Sequence, residues 1–193
     1  MIPPRIGISI GDPGGIGPEV ILRAFFDAEH LPPARYIVFG PRELLENEAK
    51  AIGRKGDILA WKSDGRSLDQ GVFIRDLPGP PGPVKKGASD PALGKASFSW
   101  FEEAVASARK GELEAVVTAP ISKHAWNLAG LPWRGHTEYL EQFYPEAVMS
   151  FWSDRLTVAL LSHHLPLREA LDRVEPESLA RFFRVIHRSV SGK

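Results

Sequence analysis

The 193-residue chain contains no cysteine. That excludes disulfides and every thiolate metal site, and leaves histidine and carboxylates as the available metal donors. It has no surplus of either charge, with 24 Lys+Arg against 24 Asp+Glu, so nothing in the total points to a nucleic-acid partner or a membrane surface. No apolar run approaches the length of a membrane span, and no internal repeat is visible. The segment Met1-Ile2-Pro3-Pro4-Arg5 leads into a strand-like run without a signal-peptide pattern, so the expected location is the cytoplasm. What is present is a 43% apolar composition, enough for a sizeable core in one large domain or in part of a two-domain protein.

Strands and helices alternate along the chain. Ile6 to Ile10 reads as a buried strand, ended by the glycine-rich turn Gly11 to Gly17, with Pro18 suited to open a helix carrying Val20, Ile21, Ala24 and Phe25 on one side. Tyr36 to Phe39 predicts a second strand, with a helix over about 42–51. Ile58 to Trp61 and Val72 to Leu77 read as further strands. The run Leu77-Pro78-Gly79-Pro80-Pro81-Gly82-Pro83 suits neither helix nor central strand, and is expected to be a stiff loop or a crossing between two lobes near 77–84. Apolar residues at helical spacing predict a helix over Ala92 to Lys110. A strand at Ala115 to Val117 and a helix from about Ser122, stopping near Gly130, follow it. Another helix is expected near Thr137, strands at Val148 to Phe151 and Leu156 to Leu161, and a last helix marked by Leu179, Phe182, Phe183, Ile186 and Val190. The pattern predicts an α/β fold with a mainly parallel sheet and helices on both faces.

Three polar motifs fall just past predicted strand ends, where parallel sheets place their sites. Gly11-Asp12-Pro13 follows the first strand, Thr118-Ala119-Pro120 another, and Ser162-His163-His164 a third, which suggests a common cleft. Gly11 to Glu19 departs from the dinucleotide fingerprint, because Val20 stands where its last glycine belongs. It reads equally as an anion-holding turn or as a tight turn with no ligand. Gly135-His136-Thr137-Glu138 offers a hydroxyl and an imidazole beside a helix start, with Thr137 as the expected cap; the pair suits a phosphate ester, or is a plain cap beside a surface histidine. In an extended chain His163 and His164 would point to opposite faces, so that only one could enter a cleft. They read as a polar pair at a strand end or as one metal ligand. No Gly-x-Ser-x-Gly elbow surrounds Ser162, and Lys123 and His124 read as solvated helix residues.

Together these segments resemble the 4-hydroxythreonine-4-phosphate dehydrogenase family of pyridoxal phosphate biosynthesis. The resemblance runs through Gly11-Asp12-Pro13-Gly14-Gly15-Ile16-Gly17-Pro18-Glu19, Val117 to Lys123, Ala129 to Glu138 and Leu161 to Arg168. It departs at Gly14, where alanine is common, and at His163, where the usual block is Thr-Thr-His. The resemblance implies a three-layer fold of the isocitrate and isopropylmalate dehydrogenase type, incomplete here, with His136 and Thr137 binding the phosphorylated substrate and His164 as a metal ligand. It also implies NAD or NADP, a divalent cation (zinc, magnesium or cobalt), a homodimer, and oxidation and decarboxylation of 4-phosphooxy-L-threonine. No catalytic residue is assigned by it. The family continues beyond Lys193 with two further metal-ligating histidines and further nucleotide contacts, so the chain is expected to be the N-terminal part of such an enzyme and inactive alone. A dehydrogenase of another phosphorylated hydroxy acid, or a non-catalytic fragment, would carry the same motifs.

Overall fold

The computed structural model describes residues 2–54, 62–63 and 70–191. Two compact units divide the chain, Met1–Gly135 and His136–Lys193, so the proline- and glycine-rich run at 77–83 lies inside the first unit.

The first unit is built on β1 (Arg5–Ser9), α1 (Gly17–Phe26), β2 (Arg35–Gly40), α2 (Arg42–Ala51), β3 (Lys62–Ser63), β4 (Gly71–Asp76), α3 (Pro91–Arg109), β5 (Ala115–Thr118) and α4 (Lys123–Leu128). Its five strands form one sheet in the order β3-β4-β2-β1-β5, and every pairing is parallel. The expected strand at Ile58 to Trp61 lies outside the described residues.

Parallel neighbours need crossovers, and the helices that supply them cover both faces. The two-residue side-chain period of a strand sorts the core. Ile8, Val38 and Ile74 turn to one face and pack with Ile21 and Leu22 of α1 and Leu45 and Ala49 of α2. Ile37, Phe39 and Phe73 turn to the other, against Ala104 of α3 and Leu113. The result is helix, sheet, helix: the three layers expected. Of the four residues expected on one side of α1, Ile21 is buried and Phe25 half-buried, while Ala24 and the side chain of Val20 are exposed; Leu22 is buried beside Ile21.

Local chemistry fixes the ends of these elements. Asp90 caps α3, accepting from the amides of Ala92 and Leu93, with Pro91 at the first helical position, where its missing N–H costs nothing. Ser122 caps α4 by accepting from Ala125 N at 3.1 Å. Trp126 of α4 is fully buried and donates from Nε1 to Ser97 Oγ at 2.8 Å, so its indole N–H is satisfied within the core. At the far end of the sheet the Arg5 guanidinium forks onto the Glu114 carboxylate, with the Arg5 amide donating to it at 2.6 Å as well. Those bonds hold the Glu114 carboxyl well below its ordinary range, at about 2.

The second unit comprises α5 (His136–Glu141), β6 (Ser150–Trp152), β7 (Thr157–Ala159), α6 (Leu167–Asp172) and α7 (Pro176–Ser191). Here the structure corrects the expectation of one sheet. The strands at 148–151 and 156–161 are shorter than predicted and form a separate antiparallel ribbon, with Phe151 opposite Val158. A four-residue connection, too short for a crossover, permits only the antiparallel pairing. The ribbon presents Phe151, Trp152, Leu156 and Val158 as exposed apolar side chains, and α7, though strongly amphipathic in sequence, buries none of its residues fully. No helix among the described residues is long and apolar enough to cross a membrane.

Candidate functional site

In a parallel sheet ligands gather at the carboxyl edge, where neighbouring connections leave in opposite directions. That point lies here between β1 and β5, and two of the predicted motifs meet at it. Asp12 N donates to Pro120 O at 2.9 Å, and Ala119 N donates to Ser9 O at 3.0 Å. Gly11 has φ +72, and a Cβ there would lie 3.0 Å from the Ala119 carbonyl carbon and closer still to Pro120 O, so only glycine fits. Asp12 is buried and accepts from Gly14 N at 2.9 Å, while Gly15 N donates to Asp12 O at 3.0 Å. Burial pushes the Asp12 carboxyl upward, against the opposing pull of the Gly14 amide and the Lys86 ammonium. One amide of the turn, that of Asp12, is therefore spent on holding β1 to β5, and those of Gly14 and Gly15 on the turn itself. Of its two readings, the tight structural turn accounts for Gly11, Asp12 and Gly15.

Beside this joint is a cleft of about 440 Å³, with walls from Pro13, Pro41, Leu44 and Pro80 and polar edges from Asn47 and Glu43. Lys86 closes one side. It pairs with Glu48 at 2.8 Å and donates to Gly15 O at 3.2 Å. Sequence reasoning missed Asn47, Glu48 and Lys86, because they sit on a polar helix face and in a loop, neither of which carries a periodic signal.

The other candidates lie in the second unit. His136 opens α5 and Thr137 follows it inside the first turn, so Thr137 is not the residue preceding the helix. Both are half-buried. The helix is fixed by Tyr139, which is buried and meets Phe143 edge-on at 5.4 Å. Ser162, His163 and His164 follow β7 in the antiparallel ribbon, so their place beyond a strand end does not belong to the parallel sheet. Nor is the chain extended there. His164 has φ 56, and among the described residues it is the one non-glycine residue in the left-handed region. That backbone costs about 1–2 kcal/mol for an ordinary L-residue and is a conformation characteristic of functional sites. It sets the two imidazoles edge to face, 5.3 Å apart at 88°, rather than on opposite faces. His164 is exposed and His163 half-buried. Lys123 and His124 are exposed on α4, as expected of solvated helix residues.

A divalent cation needs several donors fixed together. Among the described residues no group of three or more His, Asp or Glu side chains is placed to hold one. The described residues therefore do not make a metal site by themselves.

The family profile described as pyridoxal phosphate biosynthetic protein PdxA matches residues 33–193. The chain belongs to this family. It is 32% identical over 192 residues to a 4-hydroxythreonine-4-phosphate dehydrogenase from Chromobacterium violaceum, covering 98% of this chain and 57% of that protein. A relative from Oceanobacillus iheyensis, named provisionally as a D-threonate 4-phosphate dehydrogenase, is 30% identical and is covered over 58% of its length. Among solved structures, the crystal structure of a 4-hydroxythreonine-4-phosphate dehydrogenase from Burkholderia phymatum matches with a TM-score of 0.79 at 27% identity, over 94% of this chain and 56% of that one. This PdxA-family chain thus spans somewhat over half the length of these relatives, corresponding to their N-terminal part, and shares their isocitrate/isopropylmalate dehydrogenase-like fold.

Proposed function

We propose that this chain supplies the substrate-phosphate grip and one metal-ligating imidazole of an NAD- or NADP-dependent dehydrogenase that oxidises and decarboxylates 4-phosphooxy-L-threonine. The observation that carries this reading is the left-handed backbone of His164, which is strained for its position and presents an exposed imidazole after β7. His136 and Thr137 sit together on one short, anchored helix, and offer an N–H and an O–H to a phosphate ester. The carboxyl-edge cleft has the volume of a small-molecule pocket, and its polar edges suit the hydroxyl-rich part of a nicotinamide nucleotide. The zinc, magnesium or cobalt ion implied by the family would polarise the substrate hydroxyl, and no step is assigned to it on these residues.

The test is a binding titration with 4-phosphooxy-L-threonine. His136→Ala and Thr137→Ala are each expected to weaken binding by about tenfold, the worth of a charge-assisted hydrogen bond. Unchanged affinity in both variants overturns the assignment. The Oceanobacillus relative favours a second reading, in which the substrate is D-threonate 4-phosphate, and competition between the two compounds on the same protein decides which is preferred.

We further propose a cytoplasmic homodimer. The exposed apolar side chains of Phe151, Trp152, Leu156 and Val158 on the ribbon, and of Phe183 and Val190 on α7, support association. Sedimentation at micromolar concentration is expected to give a dimer, and Trp152→Glu a monomer. A monomeric unsubstituted chain counts against it.

A further inference from the structure

The cleft at the carboxyl edge of the sheet is rich in hydrogen-bond acceptors and poor in donors. Pro13, Pro41, Pro80 and Pro83 line it, and a proline nitrogen carries no proton, so these four residues offer no amide to an anion. Glu43, Asn47 and Glu48 line its α2 side, with Glu43 and Asn47 four residues apart on one helix face. The Glu43 side chain is exposed and forms no ion pair among the described residues. Lys86 is the one cation among the described residues that line the cleft, and its ammonium is already engaged. It meets Glu48 at 2.8 Å and donates to Gly15 O at 3.2 Å, with the buried Asp12 carboxyl in its field as well. The start of α2 is engaged too. Arg42 N donates to Asp76 Oδ1 at 2.9 Å, so a carboxylate of the chain itself already sits at that positive helix end.

We propose that Glu43, with Asn47 beside it, receives the vicinal hydroxyls of the adenosine ribose, and that the Lys86–Glu48 pair leaves no cation for a 2′-phosphate, so that the cleft selects NAD over NADP. This rests on the reading of the cleft as the nucleotide site. A vicinal diol brings two O–H donors, which a carboxylate can accept side by side. A 2′-phosphate brings roughly two negative charges at neutral pH in place of one of those donors, and it needs N–H groups or a free cation. In this cleft it meets two carboxylates against one neutralised ammonium, beside four proline nitrogens without protons. Like charges brought together in that way repel. Glu48 is the more enclosed of the two carboxylates, with 12% of its side chain exposed. Its pair with Lys86 also ties the proline-rich loop to α2, so the same contact shapes the cleft and spends its cation.

The experiment titrates NAD and NADP separately into the purified chain at constant pH and ionic strength, without metal or substrate. Binding is read by ligand-observed NMR, which measures weak affinities. The unsubstituted chain is expected to bind NAD about tenfold tighter than NADP. Glu43→Gln is expected to weaken NAD by about fivefold while NADP tightens, so that the preference is lost. Glu48→Gln releases the Lys86 ammonium and removes a repelling charge, and is expected to tighten NADP by about fivefold with NAD little changed. That rise separates selection from support of the loop, since a substitution that only loosened the loop would weaken both nucleotides alike. Circular dichroism checks that both variants fold. Equal affinity for the two nucleotides, a preference for NADP, or a ratio unchanged in both variants overturns the selection and leaves the nucleotide reading of the cleft standing. Binding of neither nucleotide overturns both.

Discussion

Supplied with NAD and with zinc, magnesium or cobalt, the 193-residue chain is expected to oxidise 4-phosphooxy-L-threonine no faster than background. The argument is one of ligand count. Metal affinity depends on several donors held in place together, and the described residues offer no trio of His, Asp or Glu. A Lewis acid at a reacting hydroxyl is worth several kcal/mol, on the order of a thousandfold in rate. Calorimetry with each metal is expected to show no tight one-to-one binding at His164, and NADH absorbance no increase above the protein-free rate. The His136–Thr137 pair needs no cation to assemble, so substrate binding and turnover are expected to separate: phosphate held, chemistry absent. Tight stoichiometric metal binding with clear turnover would show that other donors in this chain complete the site.

The largest effect on stability is expected from Gly94→Ala. A glycine inside the 19-residue helix α3 would ordinarily cost stability relative to alanine, so on propensity alone the substitution should help. Packing reverses the sign. A Cβ at this position would lie 2.5 Å from the Ala125 carbonyl carbon and 3.0 Å from Trp126 N. Those are backbone atoms of α4, which has no flexible end to swing aside. The two helices must part, and the buried bond from Trp126 Nε1 to Ser97 Oγ lies on the same seam. The expected cost is about 3 kcal/mol, at the upper end for overpacking, or a fall of roughly 10 °C in the Tm of this unit. Thermal unfolding followed by tryptophan fluorescence checks it. A variant as stable as the parent would mean that α3 and α4 do not approach so closely.

The sequence pattern located most of the parallel sheet because burial on both faces leaves short apolar runs with sharp ends. Ile6 to Ile10 and Tyr36 to Phe39 are such runs, and each lies on or within one residue of a strand of the sheet; Ala115 to Val117 also falls on a strand, but β5 is an edge strand with Ala115 and Val117 exposed. The same rule failed at Leu156 to Leu161. There an apolar run of similar length forms an exposed antiparallel ribbon, because composition reports what a strand could bury and the tertiary partner decides whether it does. His136, Thr137 and His164 are assigned as site residues by motif resemblance, and spacing alone leaves each with an ordinary alternative. The backbone twist at His164 has no local signal, since no glycine or asparagine marks it.

The left-handed conformation of His164 narrows the set of substitutions open to that position. Val, Ile or Thr there would lose the imidazole and also strain the hairpin exit, so two losses would arrive in one step. Gly or Asn would accept the same φ at little cost and remove only the ring. If His164 is the metal ligand proposed above, a lineage that gives up the ring keeps its fold by drifting to Gly or Asn, and one that keeps it has almost no neutral exits.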